Sequence, residues 1–213
     1  GVDEGDEGGR GCVKNKPLIL GDTIICGAST EEEGWNAFVD VSTDGGRSFQ
    51  RTPNLAVPDG AGIIQPTLWE SAPGKVHMML RSDSRHVYRA TSEDGGRTWG
   101  AAEPLDLPNN NSGIDVVKLG SLLVLAMNPT SDNWGGRWPL RLAVSEDNGL
   151  TWKEHLDLET SPGEYSYPAI VPWSNGEGFH LAYTWNRRRM KYVSMSVQKL
   201  RELTTHTSRS HSG

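Results

Sequence analysis

One eight-residue pattern occurs three times and limits the fold more than any other feature of the chain: Ser42-Thr-Asp-Gly-Gly-Arg-Ser-Phe49, Ser92-Glu-Asp-Gly-Gly-Arg-Thr-Trp99 and Ser145-Glu-Asp-Asn-Gly-Leu-Thr-Trp152. The copies begin 50 and 53 residues apart, and self-similarity at such a period marks a repeat architecture. In each copy Asp-Gly-Gly or Asp-Asn-Gly supplies the positive-φ positions of a tight turn, with Gly46, Gly96 and Gly149 at equivalent places. Asp44, Asp94 and Asp147 are placed to accept backbone N–H bonds inside the turn, with Ser42, Ser92 and Ser145 opening it. Phe49, Trp99 and Trp152 close it over its apolar side. Such aspartates are turn staples, not catalytic groups.

Short apolar segments precede each copy in the same order. The first unit reads KPLIL, TIICGAS and NAFVDVS; the second QPTLWE, KVHMMLRS and VYRATS; the third GIDVVKL, SLLVLAM and LRLAVS. A fourth, YPAIV, GFHLAYTW and MKYVSMS, follows without the turn motif. β-Branched and aromatic runs at regular spacing, in a chain with 25 glycines and 12 prolines, predict an all-β protein nearly devoid of helix. A period near 50 with about four strands per unit predicts propeller blades over 15–52, 63–105, 113–158 and 165–200. A sandwich of unrelated hairpins would not need the same octapeptide in each unit. The acidic, glycine-rich opening, 1–14, reads as flexible, and 201–213 as a disordered tail.

Lys plus Arg number 21 against 27 Asp plus Glu, a formal charge of −6, and the longest basic run is Arg187-Arg188-Arg189. That balance argues against a nucleic-acid partner. No apolar run approaches the roughly 18 residues of a membrane span, and no stretch resembles a signal peptide. The compartment stays open. Cys12 and Cys26 form no CxxC pair; they either pair with each other or remain thiols. The histidines lack metal-ligand spacing, so neither a metal nor another cofactor is expected. Asn110-Asn111-Ser112 is a glycosylation sequon.

The octapeptide resembles the Asp-box, SxDxGxTW, of the sialidase (neuraminidase) superfamily, and the resemblance covers about Asn15 to Leu200. The order of further motifs is similar to that family's: Gln65-Pro66-Thr67-Leu68-Trp69-Glu70, Arg81 in HMMLRS, Asn128-Pro129, Arg137, the third box, then Tyr167-Pro-Ala-Ile-Val171. The resemblance implies a six-bladed propeller, of which about four blades lie in this chain, and makes the chain look like the C-terminal portion of such a protein. It implies hydrolysis of a terminal α-linked acidic sugar, with an acidic glycan as partner. Arg81 and Arg137 would grip the carboxylate and Tyr167 would be the nucleophile, a neutral group suited to an anomeric carbon beside a carboxylate.

Two departures stand out. The first arginine and the acid/base aspartate of the family have no counterpart, and Gln65 stands where the general-base glutamate would be. A glutamine can position a hydroxyl but cannot accept its proton. Either Glu70, Asp115 or Glu164 takes that role, or the chemistry differs. Other Asp-box propellers bind glycans or proteins without catalysis, or act on uronic-acid polysaccharides, and both readings stay open. The chain by itself is expected to be inactive, and open strand edges would invite self-association.

Asn111 and Asp115, in the run entering the third unit, are candidates for sugar hydroxyls. Alternation would place Tyr165 and Tyr167 on one strand face.

Overall fold

A computed structural model describes residues 11–31 and 33–210, with side chains as far as Thr204. The chain divides into two compact units, 1–104 and 105–213. Each contains meander sheets whose strands neighbour one another in chain order, the arrangement of propeller blades.

The first sheet of unit 1 comprises β1 (Leu18–Leu20), β2 (Thr23–Thr30), β3 (Asn36–Ser42) and β4 (Gln50–Arg51). The second comprises β5 (Ile63–Ala72), β6 (Lys75–Ser82), β7 (His86–Ser92) and β8 (Glu103–Pro108), whose last strand crosses the unit boundary. Ile25, Val39, Ile63, Val76, Met78 and Leu80 fill the space between these sheets and are fully buried. Gly27 is required there, because a Cβ would sit 2.7 Å from that of Pro66.

Unit 2 holds β9 (Asp115–Leu119), β10 (Leu122–Met127), β11 (Leu140–Ser145) and β12 (Glu154–Glu159), followed by β13 (Tyr165–Pro172), β14 (Gly178–Trp185) and β15 (Arg189–Ser196). Its core joins Val124, Leu142, Ile170, Phe179 and Leu181. The last sheet has three strands where the others have four.

Helix α1 (Val197–Ser210) corrects the expectation of a disordered tail from residue 201. Leu200 and Thr204 are buried, and Val197 packs against the unit 2 core. The 3- and 4-residue spacing of these side chains is a helical stripe, too short and too polar to stand out in RELTTHTSRSHSG. Within the opening segment 1–14, residues 1–10 lie outside those described, as do 211–213 of the expected tail. Residues 11–13 are tied down, Gly11 N donating to Asp40 Oδ2 (3.1 Å) and Val13 N to the Gly27 carbonyl (2.9 Å).

The three boxes share one hydrogen-bond pattern. Ser42 Oγ donates to Asp44 Oδ1 (2.8 Å) and accepts from Gly46 N (2.8 Å); Asp44 also accepts from Arg47 N, Ser48 N and Ser48 Oγ. Asp94 and Asp147 repeat this with Thr98 and Thr151. Bonds from Thr98 hold the Asp94 carboxyl down at about 2, and the same pattern lowers Asp44 and Asp147. Burial pulls His77 down to about 4.

Both shifts make the unfolded chain bind protons more readily than the folded one, so stability rises with pH across each window. Thermal unfolding midpoints should therefore fall from pH 6.5 to 4 as His77 is forced to charge, and again from 4 to 2 as the boxes protonate. In Asp94→Asn the second decline should be shallower; an unchanged slope between pH 4 and 2 counts against the box contribution.

Candidate functional site

Two first strands are interrupted in the same way. The register of β5 steps from Ile64 opposite Arg81 to Thr67 opposite Met79, leaving Gln65-Pro66 as a bulge. In β13 it steps from Ser166 opposite Thr184 to Ala169 opposite Ala182, leaving Tyr167-Pro168. Gln65 and Tyr167 take positive φ, 57° and 50°, although a residue before proline ordinarily stays extended. Such a conformation persists only where its surroundings enforce it, and a bulge re-aims the side chain it carries. Asn111, ahead of β9, also has positive φ (62°).

The braces are visible. In unit 1, Asn15 Nδ2 donates to the carbonyls of Gln65 (3.0 Å) and Pro66 (3.1 Å), and Gln65 N donates to Ser29 Oγ (3.3 Å). In unit 2, Asn128 Nδ2 donates to the Tyr165 carbonyl (3.0 Å), while Asn186 exchanges bonds with the backbone of Glu164. The bulge overturns the expected shared face of the two tyrosines: Tyr165 is buried in the core and Tyr167 is 42% exposed.

Unit 1 carries one cluster. Arg81 is buried, donates from Nη1 to Gln65 Oε1 (3.4 Å) and holds its guanidinium carbon 5.2 Å from the Trp35 ring centre. Glu70 does not join it. Its Oε1 accepts from Gly74 N (2.8 Å) in the β5–β6 turn, about 16 Å along the strand from Gln65 at the usual rise. Glu70 is a turn cap, and it is placed away from the position a substitute base would need.

Unit 2 carries the other. The Arg137 guanidinium carbon lies 4.9 Å from the centre of the Tyr167 ring, and its Nη1 is 3.6 Å from Glu164 Oε1. Glu164 accepts a bond from Ser166 Oγ (2.9 Å) and pairs through its other oxygen with Arg187. A cavity of about 360 Å³ is lined by Asn110, Asn111, Trp134, Arg137, Glu164 and Arg187, among others. Two guanidiniums against one carboxylate leave it with a surplus positive charge, fit for an anion. Trp134, 68% exposed, offers an indole at the cavity. The two loops that form it are tied by Asn110 Nδ2 to the Gly136 carbonyl (2.8 Å) and Trp134 N to the Asn110 carbonyl (3.2 Å).

Asp115 is buried and accepts from Ile170 N through Oδ2 (2.9 Å), stitching β9 to β13, and it does not line the cavity. Asn110 is also buried, so the sequon is closed to glycosylation in the folded chain.

Trp35 and Arg187 were not singled out in the sequence as site residues. Arg187 is placed by a type I′ turn: the Arg188 N donates to the Trp185 carbonyl (3.1 Å) with Asn186 and Arg187 both at positive φ. That turn carries Arg187 to Glu164. Among the described residues no three His, Cys, Asp or Glu side chains are grouped to hold a metal, and no helix is long and apolar enough to cross a membrane.

The chain matches the family model described as BNR repeat-like domain over residues 8–181. No curated protein sequence matches it. Among solved structures it resembles the NanB sialidase from Streptococcus pneumoniae, at TM-score 0.72 and 19% identity over 86% of this chain and 30% of that one. It also resembles the leech intramolecular trans-sialidase, at TM-score 0.67 and 18% identity over 86% and 30%. An exo-β-1,3-galactanase from Phanerochaete chrysosporium follows at TM-score 0.62 and 13% identity, over 88% and 48%. The fold is the sialidase-type β-propeller, and the chain spans about a third of the length of the sialidases it matches.

Proposed function

The chain belongs to the BNR repeat-like family, and from that premise we propose that it carries residues of a glycoside-hydrolase site that takes a terminal α-linked acidic sugar by its carboxylate. Tyr167 is the nucleophile of this reading, with Arg137 and Arg187 as carboxylate partners and Asn111 and Trp134 as sugar contacts. The observation that carries it is the guanidinium of Arg137 over the exposed Tyr167 ring, beside a polar cavity of about 360 Å³. A planar cation with five donors fits a carboxylate in a way no neutral side chain matches.

Glu164 is assigned to holding the arginines, because both its oxygens are engaged by Arg137, Ser166 and Arg187. Within unit 1, Arg81 and Gln65 form a separate buried pair, the amide oxygen accepting from the guanidinium.

The test is binding of an N-acylated acidic sugar by calorimetry, using the protein that contains this chain. Arg137→Ala should weaken it by about 10–100-fold, the range for a charge-assisted pair, with Arg137→Lys recovering only part. The methyl ester of the same sugar should bind both forms equally. An undiminished affinity in Arg137→Ala removes the assignment.

Gln65 favours a second reading, a propeller that binds acidic glycans without turnover, since its amide oxygen accepts from Arg81 and offers no base. Binding with no product from the same protein supports that reading.

A further inference from the structure

Cys26 lies buried in β2 directly opposite Asp40 of β3. The segment ahead of β1 is led past it by two contacts already described, Gly11 N to Asp40 and Val13 N to the Gly27 carbonyl. Cys12 lies between these anchors, is exposed, and is held by them alongside the strand that carries Cys26. Both thiols are free. Three residues beyond Cys12 stands Asn15, whose amide holds the carbonyls of the Gln65-Pro66 bulge.

We propose that Cys12 and Cys26 are a disulfide-forming pair, oxidised by a low-molecular-weight disulfide such as that of glutathione, and that the bond fastens the brace of the Gln65 bulge. The exposed Cys12 thiolate attacks the reagent, forming a mixed disulfide and releasing one small thiol. The Cys26 thiolate then attacks Cys12 Sγ and expels the second. Two protein thiols and one small disulfide thus become one protein disulfide and two small thiols, so atoms and electrons balance.

Cys26 is the resolving thiol of any mixed disulfide on Cys12, because the anchors at Gly11 and Val13 keep the two residues side by side. The closed loop is short, and in the folded chain its ends already touch, so the bond restrains chiefly the unfolded state.

The protein, folded at neutral pH, is incubated with glutathione disulfide and read by intact mass and thiol titration. Both thiols should disappear with the loss of two hydrogens and no glutathione retained. The oxidised form should melt about 5 °C or more above the reduced one, and amide exchange over 63–67 should slow several-fold. Cys12→Ser should show none of these changes. Persistence of two thiols, or of a stable glutathione adduct on Cys12, overturns the pairing; crosslinking that leaves exchange at 63–67 unaltered overturns the link to Gln65.

Discussion

On the proposed hydrolase reading, Tyr167→Phe in the protein that contains this chain should lower the release of an aryl leaving group from an aryl sialoside by about a thousandfold or more, the scale for removing a nucleophile from an otherwise intact site. The substitution deletes one oxygen. The ring that lies under Arg137 remains, and so does the bulge, because Phe meets the same backbone demand as Tyr. Binding of the unreacted sugar should thus stay within about twofold, separating a chemical defect from a folding or affinity defect.

The physical reason for a tyrosine is electrostatic. A carboxylate nucleophile would approach an anomeric centre that already carries a carboxylate, whereas a phenol comes in neutral. Full turnover in Tyr167→Phe excludes Tyr167 as the nucleophile, and substrate binding without turnover in the unaltered protein favours the non-catalytic reading.

Asn128 carries the largest expected effect on stability. It is fully buried; its amide donates to the carbonyls of Pro139 (2.9 Å) and Tyr165 (3.0 Å) and its oxygen accepts from Ser112 Oγ (2.9 Å). Asn128→Ala strands the two carbonyls, Ser112 Oγ keeping Asn110 Oδ1 (2.6 Å), at about 1–3 kcal/mol for each polar group left unpaired, or about 2–6 kcal/mol in all. Asn128→Asp should be worse at neutral pH, since it sets a carboxylate against two carbonyl oxygens. Its deficit should shrink on acidification, because burial among acceptors raises the carboxyl group and protonation restores one donor. Denaturant midpoints at pH 7 and 5 test this. A loss in Asn128→Ala below 1 kcal/mol, or an Asn128→Asp variant no less stable than Asn128→Ala at pH 7, refutes the argument.

The blades could be read from the sequence because their signals are local. Each box brings its own turn residues, and the strands ahead of it keep to β-branched and apolar runs, so period and strand content follow directly. What escaped was set by register and by distance. The Tyr165–Tyr167 alternation failed because a two-residue bulge cancels the period, and nothing but the proline at 168 hints at it. Glu70 looked close to Gln65 in sequence, yet it stands five positions further along an extended strand. Helix α1 is fixed by packing on the unit 2 core, which a short polar segment does not announce. Arg187 reaches Glu164 only through its I′ turn, so its role became visible once the turn was known.

The serine and aspartate side-chain bonds inside each Asp-box join residues no more than four apart. Contacts that short close on the timescale of a hairpin, microseconds, and carry little of the entropy of joining distant segments. The box turns can therefore form one by one as the chain leaves the ribosome, setting the registry of each blade before its neighbour exists. Each such turn joins the third and fourth strands of its own sheet, so those two strands are expected to pair before a look-alike 50 residues later is made.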